Sequence, residues 1–196
     1  MERKRGKTAP WFLAAALAIS VLSAAIVGGW HWLFYRSFCV YEDCRGQGID
    51  VETMKQWEER AEALGIVRMA GWRAGEEETV TSLSTGRWRR AKVTWVYGTM
   101  ELADKEQLLW GRFGIAQEEN CCVISEGLAR NLFGSVDVVG EQVKMGDRVL
   151  MVSGITKKDK EAVMVPAAKG MVEYLSVEFD RQMGAQGKIK RLLEEY

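Results

Sequence analysis

Residues 123–134 read VISEGLARNLFG, residues 138–155 read VVGEQVKMGDRVLMVSGI and residues 163–166 read VMVP, and the order of elements they encode decides the fold. A strand ends at Ile124. Ser125 stands where its side-chain oxygen can accept from a backbone N–H two or three residues on, opening a helix whose Leu128, Leu132 and Phe133 fall on one face. Gly134 stops that helix as a left-handed cap, and Gly140 marks a turn. Gly146-Asp147 then joins two strands in a hairpin. Alternation predicts that Val143, Met145, Val149 and Met151 share a buried face, with Lys144, Arg148 and Leu150 turned the other way. Pro166 closes the last strand.

Upstream, Asp50 is placed to cap a helix running to about Leu64. Its stripe is Val51, Met54, Trp57, Ala61 and Leu64, with Glu52, Lys55 and Glu59 opposite and Gly65 as its stop. Ile66 to Trp72 reads as one strand and Thr79 to Leu83 as a second. A turn near Thr85-Gly86 leads into a long strand from Arg87 to Tyr97, whose Val93, Trp95 and Tyr97 make a distinctly apolar face. Downstream, Tyr174 to Phe179 is a strand, and a basic-then-acidic helix runs from about Ala185 to Glu195. The chain thus opens β-α-β and ends β-α, with the 122–166 segment between.

Working outward to the N-terminus, Trp11 to Tyr35 contains one residue that titrates near neutral pH, His31, and no full charge there. As a helix these residues extend about 37 Å, enough to cross a hydrocarbon core of about 30 Å with some tilt. Arg3, Lys4, Arg5 and Lys7 precede the run, against Arg36, Glu42 and Asp43 after it, which keeps residues 1–10 in the cytoplasm and sends the rest outward. Trp11 and Phe12 suit the inner interface, and Trp30, Trp32, Phe34 and Tyr35 the outer one. The rival is a signal peptide cut near Ser23-Ala24-Ala25, but the apolar run continues well beyond the length of a signal h-region. His31 sits between two interfacial tryptophans, where a neutral imidazole costs little.

The 196 residues provide about one domain beyond such an anchor. Setting aside residues 1–10 leaves 23 basic and 26 acidic residues, a net charge of −3, with no basic field for nucleic acid. The Trp88-Arg89-Arg90 cluster is too short to change this and reads as a solvated strand end. With His31 the only histidine, the outer domain has none for a triad, general base or metal. No nucleophile elbow, S-x-x-K pair or Walker loop is present, and Gly184 to Lys188 is a Gly-rich turn. Glu76-Glu77-Glu78 and Glu118-Glu119 read as solvated turns. We assign no catalytic, cofactor-binding or metal-ligating residue.

Four cysteines allow three pairings, and spacing does not choose among them. A Cys39–Cys44 loop would stiffen the exit from the anchor, and is the pairing toward which the reading leans. Cys121 and Cys122 are successive strand residues, so one is expected to face the core and the other outward. Adjacent cysteines make a poor half of a zinc site.

Ser125, Glu126, Ala129, Leu132, Phe133 and Gly134 form the string S-E-x-x-A-x-x-L-F-G. It is followed by Val139-Gly140-Glu141-Gln142-Val143, the glycine hairpin and Val152-Ser153-Gly154-Ile155. In this order they resemble the extracytoplasmic core domain of MacB-like ABC permeases. Val96-Tyr97-Gly98 and Gly111-Arg112 stand where that family has V-x-G and G-R, and the resemblance covers roughly residues 11–180. It implies an α+β protein: one N-terminal transmembrane helix, then a porter-like α/β extracytoplasmic domain carrying a small inserted mainly-β subdomain. The divisions expected are a cytoplasmic basic segment 1–10, the span 11–35, a juxtamembrane segment 36–49 and a core domain 50–196, with the inserted subdomain at about 109–168.

The family's permeases continue into three more membrane helices, and some carry an ATPase. Nothing after Pro166 here is apolar enough for a span, and ten cytoplasmic residues cannot form a loop that engages an ATPase. The expectation is therefore a non-enzymatic, single-pass protein of the bacterial plasma membrane. It would act as an accessory or split permease component coupled to ABC permease and ATPase subunits, in export or envelope mechanotransmission, and would need no cofactor. The alternative is a free-standing membrane-tethered binding module without ABC coupling. An enzyme would need carboxylates converging in a cleft, and a truncated remnant of a longer permease is a further reading. A docking face drawn from Trp72, Trp88 or Trp110 would suit partner binding, since tryptophan favours interface centres.

Overall fold

The computed structural model describes residues 38–104, 106–114, 118–180 and 184–194. The expected span at 11–35 lies outside them, and among the described residues no helix is long and apolar enough to cross a membrane.

In chain order the elements are β1 (Phe38–Asp43), α1 (Val51–Glu59), α2 (Ala61–Leu64), β2 (Ile66–Ser82), β3 (Trp88–Gly98), α3 (Met100–Ala103) and β4 (Leu108–Gly111). Then come β5 (Cys121–Ser125), α4 (Glu126–Phe133), β6 (Gln142–Met145), β7 (Arg148–Thr156), β8 (Ala162–Pro166), β9 (Tyr174–Phe179) and α5 (Ala185–Glu194). The strands form one sheet in the order β1-β9-β2-β3-β8-β5-β7-β4, with β6 pairing both β2 and β7. That last strand closes a circuit: β2, β3, β8, β5, β7 and β6 each pair with the next, and β6 returns to β2. Half of the sheet is thus an open layer and half a small closed ring, whose six strands are each paired on both sides, with β4 added to β7 as an edge strand.

Each half has its own core on the same side of the sheet. In the open half, Met54 and Trp57 of α1 and Ile189 and Leu192 of α5 pack on Met69, Tyr97, Leu175, Val177 and Phe179. Gly71 lets α1 approach, because a Cβ there would lie 2.1 Å from Met54 Sδ. Asp50 caps α1 as expected, accepting from Thr53 N at 2.8 Å and Thr53 Oγ1 at 2.9 Å. The helix is shorter than the stripe suggests. The Arg60 N–H bonds back to Trp57 O at 3.1 Å, three residues rather than four, and the chain restarts as α2 before the left-handed Gly65.

Inside the ring, Val80, Val93, Ile124, Val143, Leu150, Val152 and Val163 surround Leu128 and Leu132 of α4. Ser125 caps α4, accepting from Leu128 N at 3.2 Å, and Gly134 ends it at φ 77°.

Further expectations are corrected. Ile66–Trp72 and Thr79–Leu83 are one unbroken 17-residue strand with a bulge between Ala74 and Glu77, so Glu76-Glu77-Glu78 is solvated strand rather than turn. In the hairpin, Leu150 and Val152 are buried, while Val149 and Met151 are 44 % and 47 % exposed. The two-residue turn sets Met145 opposite Arg148 and Val143 opposite Leu150, and directly opposed residues share a face, so alternation changes phase across Gly146-Asp147.

The cysteine readings also change: all four are free thiols. Residues 39–43 run as extended β1, which sets Cys39 and Cys44 about 17 Å apart at ~3.3 Å per residue, far beyond the ~7 Å limit for a disulfide. Cys121 and Cys122 do point to opposite faces, but both are buried, because β5 is covered on both sides.

Candidate functional site

The face of the sheet away from α1, α4 and α5 is only partly covered. Met100, Leu102 and Ala103 of α3 and the partly buried Phe113 pack there on Ala70, Val96, Cys121, Val123 and Met164. Beside that cover the sheet surface stays open, and its side chains follow from register. Trp72 of β2 stands opposite Tyr174 of β9, and Tyr41 of β1 opposite Ser176, two residues further along β9. The three rings meet with centroids 5.9 Å (Trp72–Tyr174), 6.2 Å (Tyr41–Tyr174) and 5.8 Å (Tyr41–Trp72) apart, in the range where aromatic pairs attract beyond their buried area. The Arg45 guanidinium lies 5.5 Å from the Tyr174 centroid and is clasped by both Asp43 oxygens. Those hydrogen bonds hold the Asp43 carboxyl below the ordinary range, while burial and then Tyr174 push the Tyr41 phenol up.

Next to this cluster is a groove of about 570 Å³. Trp72, Ala74, Thr94, Ala162, Met164 and Tyr174 supply its sheet side, and Ala103 and Asp104 one wall. The rim carries Glu77, Arg90, Lys92, Lys158, Lys160 and Glu161.

The lysine-bearing loop is placed by α4 on the other side of the strands. Gly127 N donates to Lys158 O at 3.0 Å, and a Cβ on Gly127 would lie 1.9 Å from Asp159 O, so the loop seats directly on the first helical turn. The buried Ser125 hydroxyl accepts a second hydrogen bond, from Ala162 N at 3.0 Å, and Asn131 Nδ2 donates to Glu161 Oε1 at 2.8 Å. The residues that make the S-E-x-x-A-x-x-L-F-G string a helix therefore also hold this rim.

Of the tryptophans considered from sequence, Trp72 lines the groove. Trp88 is 59 % exposed by the β2–β3 turn and Trp110 54 % exposed on edge strand β4, and neither reaches the groove. On the opposite face Trp95 carries the guanidiniums of Arg73 and Arg148 at 5.6 and 5.9 Å. Glu118 pairs with Arg112 at 2.5 Å. Sequence reasoning missed Tyr41, Tyr174 and the lysines. The run Lys157-Lys158-Asp159-Lys160 was the available signal, and only the register of β9 between β1 and β2 could reveal the aromatic cluster.

Comparison with known proteins supports this architecture. The extracellular domain of the noncanonic ABC-type transporter YknZ from Gram-positive bacteria superposes with a TM-score of 0.55 at 15% identity, covering 80% of this chain and 91% of that one. The periplasmic region of MacB from Actinobacillus actinomycetemcomitans does so with a TM-score of 0.61 at 12% identity, covering 84% and 85%. At such identities the likeness is one of fold. A search of curated proteins gives no match. The family model of the MacB-like periplasmic core domain matches residues 15–187, which spans nearly the whole molecule, and the chain belongs to that family.

Proposed function

We propose that this protein is a non-enzymatic extracytoplasmic coupling domain of an ABC-type permease system. Residues 1–10 lie in the cytoplasm, 11–35 cross the membrane once, and the folded domain works outside with permease and ATPase subunits as partners. The single observation that carries this reading is the sharing of β2 and β3 between both cores. Met69 of β2 and Tyr97 of β3 belong to the open half, while Val80 of β2 and Val93 of β3 belong to the ring. Over its 17 residues β2 spans roughly 55 Å, so a displacement at its start, beside β9 and β1, is carried to the ring by continuous strand rather than across a hinge. That suits a domain moved from its membrane end to act on something at its far end.

The test is affinity capture of the full-length protein from mild-detergent membranes, with co-purifying proteins identified by mass spectrometry. Recovery of an ABC ATPase with a permease subunit is expected. A single clean species from membranes that contain those subunits would overturn the coupling reading and favour a tethered binding module.

A further inference from the structure

The groove on the open face has an apolar aromatic floor and an unbalanced rim. Four basic side chains, Arg90, Lys92, Lys158 and Lys160, stand against three acidic ones, Glu77, Asp104 and Glu161; Glu77 faces Arg90 at 3.7 Å, Glu161 accepts from Asn131, and Asp104 Oδ1 accepts from Glu106 N at 3.0 Å. Lys92, Lys158 and Lys160 have no ion-pair partner among the described residues. Three ammonium groups without an ion-pair partner among the described residues therefore rim a surface made of Trp72, Tyr174 and Met164, in a lining that carries one more positive than negative side chain. Such a surface gains by covering apolar area, and its rim by meeting negative charge. The volume of about 570 Å³ falls within the roughly 300–1,000 Å³ typical of small-ligand sites, and α3 and the 158–161 loop wall the groove.

We infer that this groove binds a small amphipathic anion, its flat aromatic or alkyl body laid on Trp72, Tyr174 and Met164 and its carboxylate, sulfonate or phosphate held among Lys92, Lys158 and Lys160. The charge difference selects the anion and the ring cluster selects the body. Neither feature requires a partner subunit, so the site operates whether or not the domain is coupled to an ATPase.

The test is isothermal titration of the full-length chain, in nanodiscs of zwitterionic phosphatidylcholine with empty discs as blank, using 2-naphthalenesulfonate. Its uncharged analogue, 2-naphthalenemethanol, is the control. Saturable one-to-one binding is expected, at least tenfold tighter than for the neutral analogue and weakened as salt rises. The double substitution K92Q/K160Q, on two exposed side chains that pack in neither core, is expected to raise Kd at least tenfold, as is Trp72→Ala once circular dichroism shows its fold intact. Absence of saturable heat, equal affinity for the neutral analogue, or an unchanged Kd in K92Q/K160Q would each overturn the assignment. None of these results bears on capture of ABC subunits, so the two proposals fail separately.

Discussion

Gly127 lies against the carbonyl oxygen of Asp159 so closely that a Cβ would come within 1.9 Å of it. Backbone rather than a flexible side chain sits in that space. Gly127→Ala must therefore push the 158–161 loop off α4, even though alanine is the better helix former. The expected cost is about 1–3 kcal/mol, as for other overpacked sites, lowering Tm by roughly 2–10 °C. Thermal unfolding of the full-length chain checks this, and a Tm at or above wild type would show that the loop is not seated on the helix.

The phase change across Gly146-Asp147 makes a paired prediction. Leu150 is fully buried in the ring, so Leu150→Ala should cost about 2–5 kcal/mol. Met151→Ser, one residue on, changes a side chain that is 47 % exposed and should stay within about 0.5 kcal/mol. Urea midpoints of the two variants decide the register: the opposite order would mean that the alternation read from sequence holds through the turn.

Cysteine accessibility gives a chemical check. Cys39 is exposed, with its Sγ 3.5 Å from Ser176 Oγ, whereas Cys44, Cys121 and Cys122 are buried. Brief N-ethylmaleimide treatment of the native protein should add one label, and treatment in denaturant four, by intact mass. A Cys39–Cys44 bond would instead give no rapid label and only two after denaturation.

Burial also predicts an alkaline limit. It pushes the Cys44 thiol up to about 11, with Glu42 adding to the effect, and raises Cys121 and Cys122 as well. Burial first and the hydrogen-bonded Glu58 second raise Tyr97. An unfolded thiol ionises near 8.5, so above that pH the unfolded chain releases protons that the folded chain keeps. Stability is then retained below about pH 8.5 and falls as pH rises toward 11. The urea midpoint under reductant should be lower at pH 10 than at pH 8, with a smaller difference in Cys44→Ala. Equal midpoints would mean that the buried thiols ionise freely in the folded state.

What could be seen in the sequence divides along physical lines. Caps and stops were legible because they are local: Asp50, Gly65, Ser125 and Gly134 each act within four residues, and all four do what their types suggest. Strand Tyr174–Phe179 was legible from its own composition. The length of β2 was not, because Glu76 to Glu78 leave both cores before Val80 enters the ring, and a solvated strand has no apolar alternation to read. Burial of both Cys121 and Cys122 was hidden for the converse reason, since a strand covered on both faces also loses its alternation. The groove was the least legible part. Trp72, Tyr174 and Lys158 share a surface only through the β9–β2 register and the Gly127 contact, and neither leaves a mark at short range.

The placement of β1 bears on how the protein is made. Among the described strands it pairs with β9 alone, Phe38 opposite Phe179 and Asp43 opposite Tyr174. Its only ladder partner thus leaves the ribosome about 140 residues after it, a delay of roughly 7–28 s at 5–20 residues per second. For that interval the first strand emerges with no strand to pair and its apolar Val40 uncovered. Closure of the open half is therefore a late, long-range event, and a nascent chain stalled before Tyr174 should present a bare edge that chaperones or proteases can engage.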